Sequence, residues 1–149
     1  VRLGRGAVED VYDENYKFEL GKGRVLKEGK KVALVATGMM VQEALKAADI
    51  LAKDDISVTV VDMPCIKPID EELIEKIAKS HEIIITCEEH NVYGGLGSAV
   101  SEVTSKKSPV RMEMMGMQDT FGESGTPNEL LAKYGLNADH IVEKVKECL

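Results

Sequence analysis

Paired cysteines, closely spaced histidines, long apolar runs and an excess of positive charge are all missing from this sequence. Cys65, Cys87 and Cys148 are an odd number, contain no CxxC pair and keep apolar company, so buried reduced thiols in a cytoplasmic protein are expected. The longest apolar stretch, Val32 to Val41, is interrupted by Thr37 and Gly38 and is far too short to span a bilayer. No signal peptide is visible, and the chain opens at Val1, as after methionine removal or in a truncated piece. His81, His90 and His140 never reach metal-ligand spacing, and no nucleophile–His–Asp set can be assembled from local sequence, so no metal and no catalytic residue is expected. The net charge of -7 repels phosphate backbones and argues against nucleic-acid binding, although a local arginine can still hold a small phosphate.

What is present is the composition of an ordinary globular domain: 149 residues, 44% hydrophobic and 30% charged, with no tryptophan and few aromatics. A domain of this length buries roughly 70% of the surface of its unfolded chain, enough for a full core without staples. Residues 1–23 show no sustained period and read as an arm, in which Tyr16–Leu20 is a possible short strand; the domain proper is expected over 24–149. Strands are expected at Arg24–Leu26, Val32–Ala36, Ser57–Val61, Ile83–Thr86 and from Val110 to Met114, the last with a wetter face that suits an edge. Between them run helical patterns: Ala44, Leu45, Ala48 and Leu51 in one, and Leu73, Ile74, Ile77 and Ala78 behind an Asp70 cap in another. Thr126-Pro127-Asn128-Glu129 combines a capping box with proline at the first helical position, and Asn137 caps a last helix with Ile141, Val142 and Val145 inside. Strands alternating with helices predict a mostly parallel sheet covered on both faces.

Ligands and partners of such a sheet meet the loops at the carboxyl ends of its strands. The polar residues concentrate in Glu88-Glu89-His90-Asn91 and in the stretch from Gly116 to Gly122. Gly95-Leu96-Gly97 invites a dinucleotide reading, but the third glycine position is Val100 and the turn follows the third main strand; a close approach of helix to sheet explains these glycines as well. Adjacent carboxylates at Glu88 and Glu89 can push one pKa toward neutrality, yet neighbours on a strand point apart, so at most one shares the side of His90. A structural or interface role is the expected one. The seven methionines read as core.

Three segments in order carry a resemblance: Val61-Asp62-Met63-Pro64-Cys65-Ile66-Lys67-Pro68-Ile69-Asp70, then Glu88 to Ala99, then Gly116 to Gly125 with the helix that follows. Together they resemble the C-terminal domain of transketolase, particularly the form split into two polypeptides. The resemblance implies a three-layer α/β/α sandwich around a five-stranded, mostly parallel mixed sheet with one antiparallel strand. It also implies a role as part of a cytoplasmic enzyme that moves a two-carbon ketol unit between sugar phosphates with thiamine diphosphate and Mg²⁺. Those cofactors are held by two preceding domains, so this chain is expected to bind none itself. It is expected instead to be inactive alone and to pair with the N-terminal thiamine-diphosphate-binding section in a homo-oligomer. Glu89, His90, Asp119 and Phe121 are the interface or funnel candidates. Leu3-Gly4-Arg5 resembles the end of the preceding pyrimidine-binding domain, which makes Arg5 the candidate clamp for the substrate phosphate.

Deoxyxylulose-phosphate synthases and the β subunits of 2-oxoacid dehydrogenases share this domain and are the alternatives. They carry arginine where Pro64 stands here, and His90-Asn91-Val92-Tyr93 is closer to transketolase. A stand-alone nucleotide-binding regulatory module using the Gly94–Gly97 turn is the remaining reading.

Overall fold

The computed structural model describes residues 8–149. Arg5, the candidate phosphate clamp, lies outside them.

Five strands form one sheet in the order β1-β3-β2-β4-β5. At its centre, β2 (Val32–Ala36) and β3 (Thr59–Asp62) are buried along their whole length. Continuous β-branched and alanine runs of this kind suit a parallel sheet covered on both faces. β2 pairs in parallel with β3 and with β4 (Ile83–Asn91), and β4 pairs in parallel with β5 (Arg111–Met117). β1 (Arg24–Lys27) closes the far edge antiparallel to β3, with Arg24 opposite Asp62. The sheet is thus the mixed one that the resemblance implies, and β5 lies at the expected edge.

Alternation along the strands divides the core in two. Val32, Leu34, Val60, Ile83, Ile85 and Cys87 pack on one side, against α1 (Met40–Ala52) and α5 (Ala138–Cys148), with Leu131 of α4 (Pro127–Lys133) beside them. Ala33, Val35, Val61 and Ile84 face α2 (Glu71–Ser80) and α3 (Leu96–Lys107). The caps fall where the sequence puts them. Asp70 accepts from the Leu73 amide at 3.1 Å, Asn137 from the His140 amide at 3.1 Å, and Thr126 with Glu129 completes the capping box of α4.

Three local expectations change. Tyr16–Leu20 is not a strand: the Tyr16 ring stacks on Tyr12, and the sheet edge begins only at Arg24. β4 runs on to Asn91, beyond the expected end at Thr86, with a register irregularity against β5 between Cys87 and Asn91. Of the three free thiols only Cys87 is buried, and of the seven methionines only Met40, Met63 and Met115 are.

Candidate functional site

The carboxyl end of the sheet gathers the polar groups, in two neighbourhoods. The first lies where β4 leaves the core. Alternation puts Glu88 on the same side of β4 as Ile84 and Thr86, facing α3, and only 1% of it is exposed. Its carboxylate takes up the start of that helix: Leu96 N–H donates to Oε2 at 2.7 Å and Gly97 N–H to Oε1 at 2.8 Å. Helix amides left without an intrahelical partner are the natural seat of an anion, and here a side chain of the protein supplies it.

This arrangement explains the glycines. A Cβ on Gly95 would collide with the Glu88 carboxylate, and one on Gly97 would stand 2.8 Å from Met114 and 2.9 Å from Thr86 Oγ1. Both serve a close approach of helix to sheet, and the position a pyrophosphate would need is already filled.

The interface candidates surround this point. Glu89 and His90 are exposed, and His90 Nδ1 lies 4.0 Å from Glu88 Oε2, so the glutamate on the histidine's side is the buried one. Asn91 Nδ2 donates to Asp119 Oδ1 at 2.8 Å, joining the end of β4 to the loop after β5. The Val92 amide extends that junction to Met117 O at 3.1 Å. Beyond the junction, Phe121 is fully exposed and Tyr93 is 72% exposed. The structure thus connects Asn91 with Asp119 and brings His90 toward Glu88, while Glu89 and Phe121 face outward.

The second neighbourhood joins the loops that follow β2 and β3 to the arm. An open cleft of about 660 Å³ lies at the ends of β2 and β3, lined by Thr37, Asp62, Pro64 and the arm residues Glu9, Asp10 and Tyr12, among others. Tyr12 Oη donates to Asp62 Oδ2 at 2.6 Å. Burial raises the Asp62 carboxyl above its ordinary range, and the Tyr12 hydrogen bond pulls it partly back. The Tyr12 hydroxyl is itself pushed up, by burial first and then by its bond to Asp62. Only the spacing of aromatics within the arm hinted at this; its partner lies 50 residues away.

No group of three His, Cys, Asp or Glu side chains suited to a metal occurs among the described residues, and the amides at the start of α3 are occupied by Glu88. No described helix is long and apolar enough to cross a membrane.

The sheet order, its single antiparallel edge and the loops collected at one end define a three-layer α/β domain that presents a surface at the carboxyl end of its strands. The chain belongs to the transketolase C-terminal domain family, whose model, "Transketolase, C-terminal domain", matches residues 21–141. It is 41% identical over 150 residues to a putative transketolase C-terminal section of Methanocaldococcus jannaschii, covering 99% of this chain and 46% of that protein. It is 42% identical over 147 residues to a 1-deoxy-D-xylulose-5-phosphate synthase of Neisseria gonorrhoeae, covering 98% of this chain and 22% of that protein. A solved structure described as a split gene transketolase, inactive beta4 tetramer, superposes with a TM-score of 0.92 at 48% identity, over 97% of this chain and 47% of that one. The chain therefore corresponds to a domain of larger transferase enzymes and spans less than half the length of these relatives.

Proposed function

We propose that this chain serves a cytoplasmic transketolase as its C-terminal domain, shaping the subunit contacts and the rim of the active site while other domains hold thiamine diphosphate and Mg²⁺. The observation that carries this reading is the 48% identity to a split-gene transketolase subunit along nearly the whole chain. In the complete enzyme a two-carbon ketol unit passes between sugar phosphates, and the thiamine cofactor supplies the carbanion chemistry. This chain contributes surface. Asn91 and Asp119 hold the two loops of the rim together, and Glu89, His90 and Phe121 project toward the partner. Arg5, upstream of the described residues, is the proposed grip on the substrate phosphate. The domain associates with the N-terminal cofactor-binding section and, through it, forms a homo-oligomer.

The cleft favours transketolase over the synthases. Where those relatives carry a phosphate-binding arginine this chain has Pro64, in a cleft that also contains Glu9, Asp10, Asp13 and Asp62. Carboxylates there repel a phosphate, so the phosphate grip belongs elsewhere.

Calorimetric titration of thiamine diphosphate and Mg²⁺ into the isolated chain tests the assignment of roles. No binding heat is expected, and saturable micromolar binding would contradict a domain that leaves the cofactor to its partners. A second arm uses size-exclusion chromatography with a polypeptide carrying the two cofactor-binding domains. Co-elution is expected, weakened by Phe121→Asp; separate elution of the unaltered pair would contradict the partnership.

A further inference from the structure

Among the described residues β5 pairs with β4 alone, so its outer edge is open. An open edge is a template for a further strand, and proteins usually shorten, bend or charge it. The opposite edge is treated in that way: β1 has four residues, begins and ends in Arg24 and Lys27, and its register shifts between Val25 and Lys27. β5 has seven residues, four of them methionine, and its register to β4 is regular from Arg111 to Met115. Methionine adapts readily to a partner's surface.

The stretch free to pair has limits at both ends. Pro109 has no N–H to give, and the Gly116 carbonyl already accepts from Gln118 Nε2 at 3.1 Å. What remains, Val110 to Met114, is centred on Met112. Its only charges, Arg111 and Glu113, stand on either side of that centre and on one face of the sheet. Their own contact, 3.3 Å between side chains 56% and 38% exposed, leaves both open to a second partner. Leu149, 57% exposed, follows Cys148, whose carbonyl accepts from Arg111 at 3.4 Å, so an uncovered apolar residue adjoins the same pair.

We propose that the β5 edge is a contact between two copies of this chain, joined antiparallel about a two-fold axis through Met112, with Arg111 of each copy facing Glu113 of the other. Facing residues of antiparallel strands share a face of the sheet, so a two-fold axis normal to it must pass through a residue. Centring on Arg111 sets arginine against arginine, and centring on Glu113 sets glutamate against glutamate; both are unfavourable. Centring on Met114 leaves the charges opposite methionines and draws in Gly116, whose carbonyl is engaged. Centring on Met112 places opposite charges face to face twice, with Cβ atoms about 5 Å apart, and closes a square of alternating charge. The strand therefore specifies one register with itself. This contact is direct, and it does not depend on the transketolase reading or on the cofactor-binding section.

Sedimentation velocity on the full chain, from low micromolar to near-millimolar concentration, is the first readout. A reversible monomer–dimer equilibrium is expected, and a monomer throughout would overturn the proposal. Arg111→Glu alone, or Glu113→Arg alone, puts like charges opposite each other twice per dimer. Each should weaken dimerisation by about tenfold or more. An equimolar mixture of those two variants regains both opposite-charge pairs across a mixed dimer, and so does the double variant with itself. Both should associate about as tightly as wild type, which separates a broken contact from a misfolded chain. Dimers that neither single exchange weakens, or weakened ones that neither the mixture nor the double variant restores, would overturn the proposal. Hydrogen exchange locates the contact in the unaltered chain. Amides between Val110 and Met114 should exchange more slowly as concentration rises; dimerisation that leaves all of them unaffected would place the contact elsewhere and overturn it.

Discussion

Glu88 concentrates several constraints in one side chain: it is buried, it caps α3 with both oxygens, and it forces Gly95 to lack a Cβ. Glu88→Gln replaces one acceptor oxygen with an NH₂ group that cannot accept, leaving an amide of Leu96 or Gly97 unmet. A loss of about 1–3 kcal/mol is expected, read as a lower urea midpoint with an unchanged slope. Cys87 gives a second prediction. Burial pushes its thiol up to about 12, so it stays protonated near neutrality and out of reach of reagents. A thiol reagent at pH 8 should titrate Cys65 and Cys148 in the native chain and reach Cys87 only after denaturation. For Asp62 the sign of the pH dependence follows from burial. A native pKa above the unfolded value of about 3.9 means that the folded chain takes up the proton first as pH falls. Its contribution is fully present below the unfolded value and is lost as pH rises through the raised native one. Asp62→Asn should flatten that part of the stability curve in denaturation experiments run from pH 4 to pH 7.

Among the elements, β4 and α3 form the unit that builds the rim. The helix approaches the strand so closely that a methyl group on Gly97 would press on Met114 and on Thr86 Oγ1, a buried hydroxyl with no hydrogen-bond partner. Gly97→Ala should therefore destabilise by about 1–3 kcal/mol despite the better helix propensity of alanine, as a thermal melt would show. The same unit shows what sequence can and cannot convey. The apolar run Ile83–Ile85 and the caps at Asp70, Thr126 and Asn137 are local signals, and the elements they mark are all present. The extension of β4 to Asn91 is not local, because it depends on partners supplied by β5 and the loop beyond it. Likewise, alternation along β4 shows that Glu88 and Glu89 point apart, but only the packing of α3 decides which of them is buried. Tyr16–Leu20 has strand-like composition and takes no strand, since its tyrosine is used in the stack with Tyr12. The Tyr12–Asp62 bond joins residues too far apart in sequence for any spacing argument to pair them.

As a whole molecule the chain corresponds to one domain of larger transferase enzymes, and its features divide accordingly. The two core layers and the capped helices make it self-sufficient as a fold. Phe121 and Tyr93 are exposed and the acidic cleft is open, which is where the proposed function puts the contacts with other domains. The measurement that reaches the central claim most directly is a ketol-transfer assay with thiamine diphosphate, Mg²⁺ and sugar phosphates. It is run on this chain, on the two cofactor-binding domains, and on their mixture. The account predicts no turnover by the chain alone and turnover by the mixture well above that of the cofactor-binding domains. Turnover by the isolated chain, or a mixture no more active than the cofactor-binding domains alone, would contradict it.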